Sequence, residues 1–526
     1  MKKIIIVGGG AAGWMTASYL AKFHKNLDIT VVESPSIPTI QVGESVTPHV
    51  SAFFKELEIP THEWMNATAA VYKLGNKFVN WSHGQGEEEY FSFTYSVPED
   101  LYFKDIAHPQ QISDFRPRKY HSAVRNIDHV AEMYRTGEID KYDQYAHSQF
   151  HYMNKNVSFI RKGQTLLNQP WGITHHINAE LTGNFLKDNF ALGLGVKHIQ
   201  STVVDIKFTG SSIEELRLEN GQIITGDMFV DATGFHRRLI DTLGWEKVYY
   251  DYPIDGAWVG QTTYDNQPYE MMNHTESIAE PSGWRFKLGL YHRMGNGYCF
   301  SSKHVSDEDA LAHFKSQLTN KIRLGPKLLK WKPSRLKDFA KGNVMSIGLS
   351  SGFIEPMEAN ALYMVVVSIR SLSDMINRNS MDWTKHNELM SWSFDDVYDF
   401  LLLHYTLTQR EDTEFWKDMK EWGRRLNHPQ LALDKIMNEK NNMFNSLAGR
   451  NLFPDYMWMQ LATAWGHGPN RSLDPDIHKL AKEIVLSYER KHNVITDIMP
   501  NNYIWHKENV FKGLTPTEWE KKYVNR

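Results

Sequence analysis

The sequence predicts an α/β chain. A Rossmann-like dinucleotide-binding unit opens it, strands and helices interleave through the middle, and the last part is mainly helical. Three observations predict this. The first residues, "MKKIIIVGGGAAGWMTASYLAKFHKNLDITVVES", hold strand, glycine turn, helix and strand in that order. Between residues 197 and 235, short apolar runs alternate with Gly-containing turns. From about Asp382 the periodicity turns helical and Trp-rich, as in "WSFDDVYDFLLLHYTL", "EFWKDMKEWGRRL" and "YMWMQLATAWG".

The opening unit is the most specific. Ile4 to Val7 reads as a short buried strand, and Gly8, Gly10 and Gly13 follow as G-x-G-x-x-G. Ala11 to Lys25 then places Met15, Tyr19, Leu20 and Phe23 on one helical face. The next apolar strand ends at Glu33, about twenty residues beyond the last glycine, where a ribose-binding acid is expected. Glycines let the backbone approach a pyrophosphate at the helix N-terminus, and the acid accepts from ribose hydroxyls. Gly8, Gly10, Ala11, Ala12, Gly13 and Glu33 are therefore the candidate dinucleotide contacts. No second fingerprint follows, so a separate nicotinamide site is not expected.

Further on, "AELTGNFLKDNFA" reads as an amphipathic helix and Met228 to Ala232 as a buried strand. "MFVDATGF" and "GNVMSIGLSSGFIEP" are strands that end in small-residue turns. In two-domain flavoproteins such turns pass the flavin, which favours FAD over NAD.

Composition excludes several classes. The net charge of −4 gives no field for nucleic acid or anionic membrane. One cysteine, Cys299, allows neither an internal disulfide nor a cysteine-rich metal site. None of the 24 histidines, His175 and His176 included, has metal-ligand spacing. Asp395 and Asp396 are expected to face water on a helix. No stretch approaches the ~20 apolar residues of a membrane span, so a soluble cytoplasmic protein is expected. The stretch "LSSGFIEPMEANALYM" poses a sharper question: it sets Glu355 and Glu358 in apolar surroundings. Pro356 at the first helical position would put Glu358 at the third, where a carboxylate can cap the helix.

Taken together, "VGGGAAGWMTASYLAK", "QVGESVTP", "YKLGNKFVNW", "THHINAELTGNFL", "FVDATGFHRRLI", "GWRFKLGLYHRMGNGYCFSS", "IGLSSGFIEPMEA" and "LHYTLTQREDTEFW" resemble the flavin-dependent tryptophan halogenases. They run in the family's order from residue 7 to about 416. The resemblance implies a two-domain FAD-binding fold. Residues 1–380 would form the FAD-binding box with substrate-side β segments at about 60–225 and 250–335. Residues 381–526 would form a mainly helical substrate-binding cap. It also implies FAD used as FADH2, delivered by a separate NAD(P)H-dependent flavin reductase, with O2 and halide giving hypohalous acid for a small aromatic substrate. A homo-oligomer is compatible with it.

By the same resemblance Lys73 is the relay lysine and Glu358 the catalytic acid. Val42, Gly43, Glu44, Ser45, Gly348, Leu349 and Phe353 join the flavin contacts. Asn360 and Ala361 would hold the halide. Ser92, Phe93, Pro356, Met357, Tyr456, Trp458 and Trp465 would meet the substrate. If residues 71–81 form one strand, Lys73 shares a face with Val71, Lys77, Val79 and Trp81. Three positions depart from the family. Trp284, Phe286, Leu288 and Gly289 stand where tryptophan-x-tryptophan-x-isoleucine-proline is usual. Ala359, Asn360 and Ala361 replace serine, threonine and glycine, and "YFSFTYS" replaces a histidine-proline-phenylalanine. These departures point to an indole, phenol or similar aromatic rather than free tryptophan, and to bromide or iodide over chloride. The alternatives are an FAD-dependent aromatic hydroxylase and a non-catalytic flavin-binding protein.

Overall fold

The structure, a computed structural model, describes residues 2–37, 42–84, 89–92, 126–146, 149–160, 174–426, 453, 455–466 and 475–524. At its centre Lys3–Val7 carries three consecutive isoleucines, Ile4, Ile5 and Ile6, all fully buried. Such a run has no polar face, so it must be covered on both sides, as in parallel α/β sheets. It pairs in parallel with Asp28–Glu33 on one side and Met228–Asp231 on the other. Lys197–Gln200 and Val344–Ser346 extend this parallel sheet, and the short strand Ala340–Lys341 closes one edge as an antiparallel hairpin. Lys197–Gln200, inside the 60–225 segment, thus belongs to the nucleotide-binding sheet.

The helix Ala11–Phe23 packs on this sheet and against the helix Ala179–Leu186. Asn178 caps the latter by accepting from the Leu181 amide at 3.1 Å. Its continuation, Lys187–Ala191, widens into a π-helical turn.

A second, seven-stranded sheet lies in the order Ile322–Lys330, Gly256–Thr262, Met294–Phe300, Gly283–Gly289, Thr275–Glu280, Asn76–Val79 and Glu89–Ser92. A small antiparallel sheet of Glu44–Ser45, Thr174–Ile177 and Val71–Lys73 is a separate sheet. The segment 71–81 is therefore not one strand. It breaks at Leu74 and Gly75, and its halves join different sheets. Helices dominate from Asn360 onward, the longest of them Thr384–Thr406 and Pro475–Asp497. No helix among the described residues is long and apolar enough to cross a membrane.

Candidate active site

A cavity of about 680 Å³ runs along the carboxyl ends of the parallel strands. One end is the fingerprint turn. Gly8 has φ +119°, and a Cβ there would sit 2.3 Å from the Ala232 carbonyl oxygen. Glu33 lies over Gly9, whose added Cβ would fall 2.1 Å from the Glu33 Cδ, and His198 Nε2 holds that carboxylate at 2.8 Å. The helix Ala11–Phe23 has neither a side-chain cap nor an acid in its first turn. No acid of its own first turn therefore competes for its positive end, which suits a bound pyrophosphate. A dinucleotide of the FAD type fits this cradle.

Gly8, Gly10, Ala11, Ala12, Glu33, Val42, Gly43, Glu44, Ser45, Gly348, Leu349 and Phe353 all line the cavity. Gly13 does not: a Cβ there would lie 1.9 Å from the Gly8 carbonyl oxygen, so it serves helix-on-strand packing instead. The turn after Met228–Asp231 is held by the buried Asp231 carboxylate. It accepts from the Thr233 amide at 3.0 Å and hydroxyl at 2.6 Å, and from the Leu239 and Ile240 amides at 2.8 and 3.1 Å. Ser350 donates to the Asp231 carbonyl at 2.6 Å and ties this turn to the one beginning at Gly348.

Glu355 and Glu358 separate here. Glu355 is fully buried and surrounded by donors. Tyr252 donates to Oε1, Trp284 Nε1 donates to Oε2 at 2.8 Å, and the Tyr405 hydroxyl reaches both oxygens at 3.1 and 2.9 Å. Burial pushes its pKa up to about 7 against the lowering effect of these bonds. Trp284 in turn lines the cavity with Phe286 and Leu288, so Glu355 anchors one aromatic wall.

Glu358 lines the cavity itself. Pro356 does not start the helix, and Glu358 does not cap it. Glu358 and Ala359 both adopt left-handed backbone, φ 62° and 58°, and the helix begins only at Asn360. Side chains in that region cost on the order of 1 kcal/mol each, so the turn is held by its surroundings. Asn360 contributes by donating to the Met357 carbonyl at 2.8 Å. The helix Asn360–Asn377 has no side-chain cap and no acid in its first turn, and Ala361 lines the cavity. Pro356 and Met357 line the same cavity.

Asn76 Nδ2 donates to Glu358 Oε2 at 3.2 Å, and His404 Nε2 lies 3.4 Å from Oε1. His404 Nδ1 meets the Phe400 carbonyl at 3.1 Å, so that nitrogen carries a proton. Lys73 is 1% exposed and sits behind the cavity wall, its Nζ donating to Ser45 Oγ at 2.6 Å. Burial lowers its pKa to about 8, with the Glu358 charge opposing the shift. Glu44, beside Ser45, is pushed up to about 7 by burial. The break at Leu74–Gly75 sends Lys73 toward Ser45 and Asn76 toward Glu358, so one short stretch serves both candidate catalytic groups.

Trp465 packs 5.7 Å from the His404 ring, and Trp458 packs 5.4 Å from Phe400. Phe78 and Trp81 complete this aromatic cluster around His404 at 5.3 and 6.1 Å. Ser92 pairs by backbone opposite Asn76. Tyr456 lies in the helix Asp455–Ala464, without a described side chain, and Phe93 lies outside the described residues. Asp396 departs from expectation: it is buried and accepts from the Phe453 amide at 3.3 Å, while Asp395 pairs with Arg335 and Tyr250. Residue-level reading missed Asn76, Tyr252, His404 and Tyr405. The stretches "YKLGNKFVNW" and "LHYTLTQREDTEFW" held three of them, but nothing in their spacing marked which side chains turn inward.

A family model described as tryptophan halogenase matches residues 3–481. The tryptophan 7-halogenase RebH of Lentzea aerocolonigenes is 30% identical over 501 residues, covering 86% of this chain and 90% of that protein. The tryptophan 6-halogenase ThaL of Streptomyces albogriseolus is 30% identical over 438 residues, covering 80% and 79%. Among solved structures, the tryptophan halogenase of Shewanella frigidimarina NCIMB 400 superposes with a TM-score of 0.82 at 23% identity, over 97% of this chain and 98% of that one. BrvH, a flavin-dependent halogenase of Brevundimonas sp. BAL3, gives 0.79 at 24% identity over 97% and 99%. The chain belongs to the tryptophan halogenase family, flavin-dependent enzymes that use FAD in its reduced form.

Proposed function

We propose that this protein halogenates a small electron-rich aromatic of the indole or phenol class, with Lys73 relaying the oxidised halogen and Glu358 taking the proton lost from the ring. The observation that carries this is the placement of a buried, pKa-lowered lysine and a carboxylate on the two sides of one cavity wall, joined to it through Ser45 and Asn76. FAD itself would lie on Gly8, Gly10, Ala11 and Glu33 at one end and along the Gly348 turn and the Trp284 wall at the other. Reduced and with O2, it supplies the oxidising power that converts halide to hypohalous acid. A separate NAD(P)H-dependent flavin reductase supplies the reduced form, as the family requires.

The chain's own residues do the rest. The neutral Lys73 amine displaces hydroxide from hypohalous acid, forming an N–halogen bond and releasing water. The aromatic carbon then takes the halogen from nitrogen as a cation; the nitrogen keeps the bonding pair and regains, by way of Glu358, the proton that the ring gives up, which restores the amine. Glu358, held by Asn76 and faced by His404, accepts the ring proton. Buried aromatic walls exclude water, which would otherwise hydrolyse or dilute the oxidant. The uncapped start of the helix at Asn360 and Ala361 suits a halide, since its amide groups point to an anion. Bromide and iodide, which are more easily oxidised than chloride, are the halides this reading favours.

The test is mass spectrometry of indoles and phenols incubated with the protein, a flavin reductase, NADH, FAD and each halide in turn. Halogen-for-hydrogen replacement supports the proposal, and oxygen insertion replaces it with a hydroxylase. Equal turnover on chloride and bromide at equal concentration refutes the halide preference.

A further inference from the structure

The strand Val71–Lys73 is three residues long and lies at the edge of its sheet, paired on one side with Thr174–Ile177. So short an edge strand does little to fix its own position. Its other side meets His506, on the helix Asn502–Asn509, 434 positions from Tyr72. The Tyr72 amide donates to His506 Nε2 at 2.9 Å, and His506 Nδ1 lies 2.8 Å from the Asn502 carbonyl. A backbone amide only donates and a carbonyl only accepts, so the tautomer is determined: the proton is on Nδ1 and the lone pair on Nε2. The ring is 1% exposed, and burial holds its pKa down to about 4, so it stays neutral.

This bond is part of a larger dock. The Tyr72 ring lies 5.4 Å from His506 and 5.8 Å from Trp505. Asn66 Nδ2 donates to the Val510 carbonyl at 2.7 Å, and Trp519 Nε1 donates to the Asn66 carbonyl at 2.8 Å. Tyr291 stacks on Phe511 at 3.5 Å. The C-terminal helices are thus fastened over the strand that ends in Lys73.

We propose that His506 is a positioning residue for Lys73: by accepting the Tyr72 amide it sets the strand so that the adjacent lysine meets Ser45, making the C-terminal helices part of the halogenation machinery. This rests on the assignment of Lys73 as the relay. His506 touches neither substrate nor oxidant. Its effect passes through one backbone bond to the next residue, and displacing a reacting group by about 1 Å can cost on the order of a hundredfold in rate.

The test uses the full chain as His506→Leu, which removes the acceptor at similar bulk, and His506→Gln, whose amide oxygen can restore it. Three quantities are read: hydrogen exchange of the peptide spanning Tyr72, FAD affinity, and brominated indole or phenol formed per reduced flavin consumed. Leucine is expected to release the Tyr72 amide and cut product per flavin by about tenfold or more, with FAD affinity within about twofold of wild type. Glutamine is expected to recover most of both losses. The proposal is overturned if the Tyr72 amide stays protected in the leucine variant. It is also overturned if product and FAD affinity fall together in both variants, which is the mark of a scaffold residue only. Exchange at Tyr72 decides the bond even where a probe aromatic is not a substrate. Lys73→Met is run beside them. If it brominates like wild type, the relay assignment fails; if it is inactive while His506→Leu is fully active, only the present inference fails.

Discussion

Replacing Lys73 with methionine is expected to stabilise the protein near neutral pH while ending halogenation. The side chain is 1% exposed, and burial, opposed in part by Glu358, brings its pKa from 10.5 to about 8. At about 1.4 kcal/mol per pH unit, the charged form costs the fold about 3 kcal/mol. That cost is complete below pH 8, where folded and unfolded chains both carry the proton. It is relieved as pH rises from 8 to 10.5, where only the unfolded lysine remains charged, and is gone above. Methionine fills similar space without charge and forfeits only the bond to Ser45, about 1 kcal/mol. The variant should therefore gain about 2 kcal/mol at pH 7 and lose about 1 kcal/mol above the unfolded pKa. Urea-unfolding midpoints of both proteins across this range measure it. A methionine variant less stable than wild type at pH 7, or a difference that ignores pH, refutes the reasoning. The same shift leaves about one Lys73 amine in ten neutral at pH 7, against roughly one in three thousand for an unshifted lysine. Bromination should accordingly rise with pH up to about 8.

Glu358→Gln should cut product on the order of a hundredfold with FAD affinity retained, as read by flavin fluorescence titration. It should also move the rise of residual activity to lower pH, because the charge that supports protonated Lys73 is gone. Glu355→Gln should destabilise by about 2–3 kcal/mol, since an amide nitrogen then faces the Tyr252, Trp284 and Tyr405 donors. Altered tryptophan fluorescence from Trp284 checks it. Gly8→Ala should abolish FAD binding in the same titration, because the new Cβ would sit 2.3 Å from the Ala232 oxygen.

The nucleotide cradle was legible because each of its parts is local. A strand, a glycine turn and a helix lie within one short stretch, and backbone geometry requires the residue types seen. The second half of the site was legible only in outline. Lys73 reads as part of an alternating strand until Leu74 and Gly75 break it, and no pattern in 71–81 shows that its halves join different sheets. Pro356 advertises a helix start that the left-handed Glu358 and Ala359 defer to Asn360. Local propensity favours the earlier start, and tertiary packing overrides it. Glu355 takes its donors from three distant segments, and His404 reaches Glu358 from a helix in the C-terminal part of the chain. Such contacts depend on how the sheets and helices assemble, and sequence spacing carries no record of them.

The bond between Tyr72 and His506 also orders events in time. Synthesis delivers the first two nucleotide-binding strands and Lys73 long before His506, which follows Tyr72 by 434 positions. Contacts this distant in sequence close late in folding, after local sheets and helices have formed. On the same reading, a nascent chain that has not yet reached His506 would hold its lysine unset. On the reading proposed above, the amine that would hold a strong oxidant is synthesised long before the residue that sets it, and is armed only once His506 has docked.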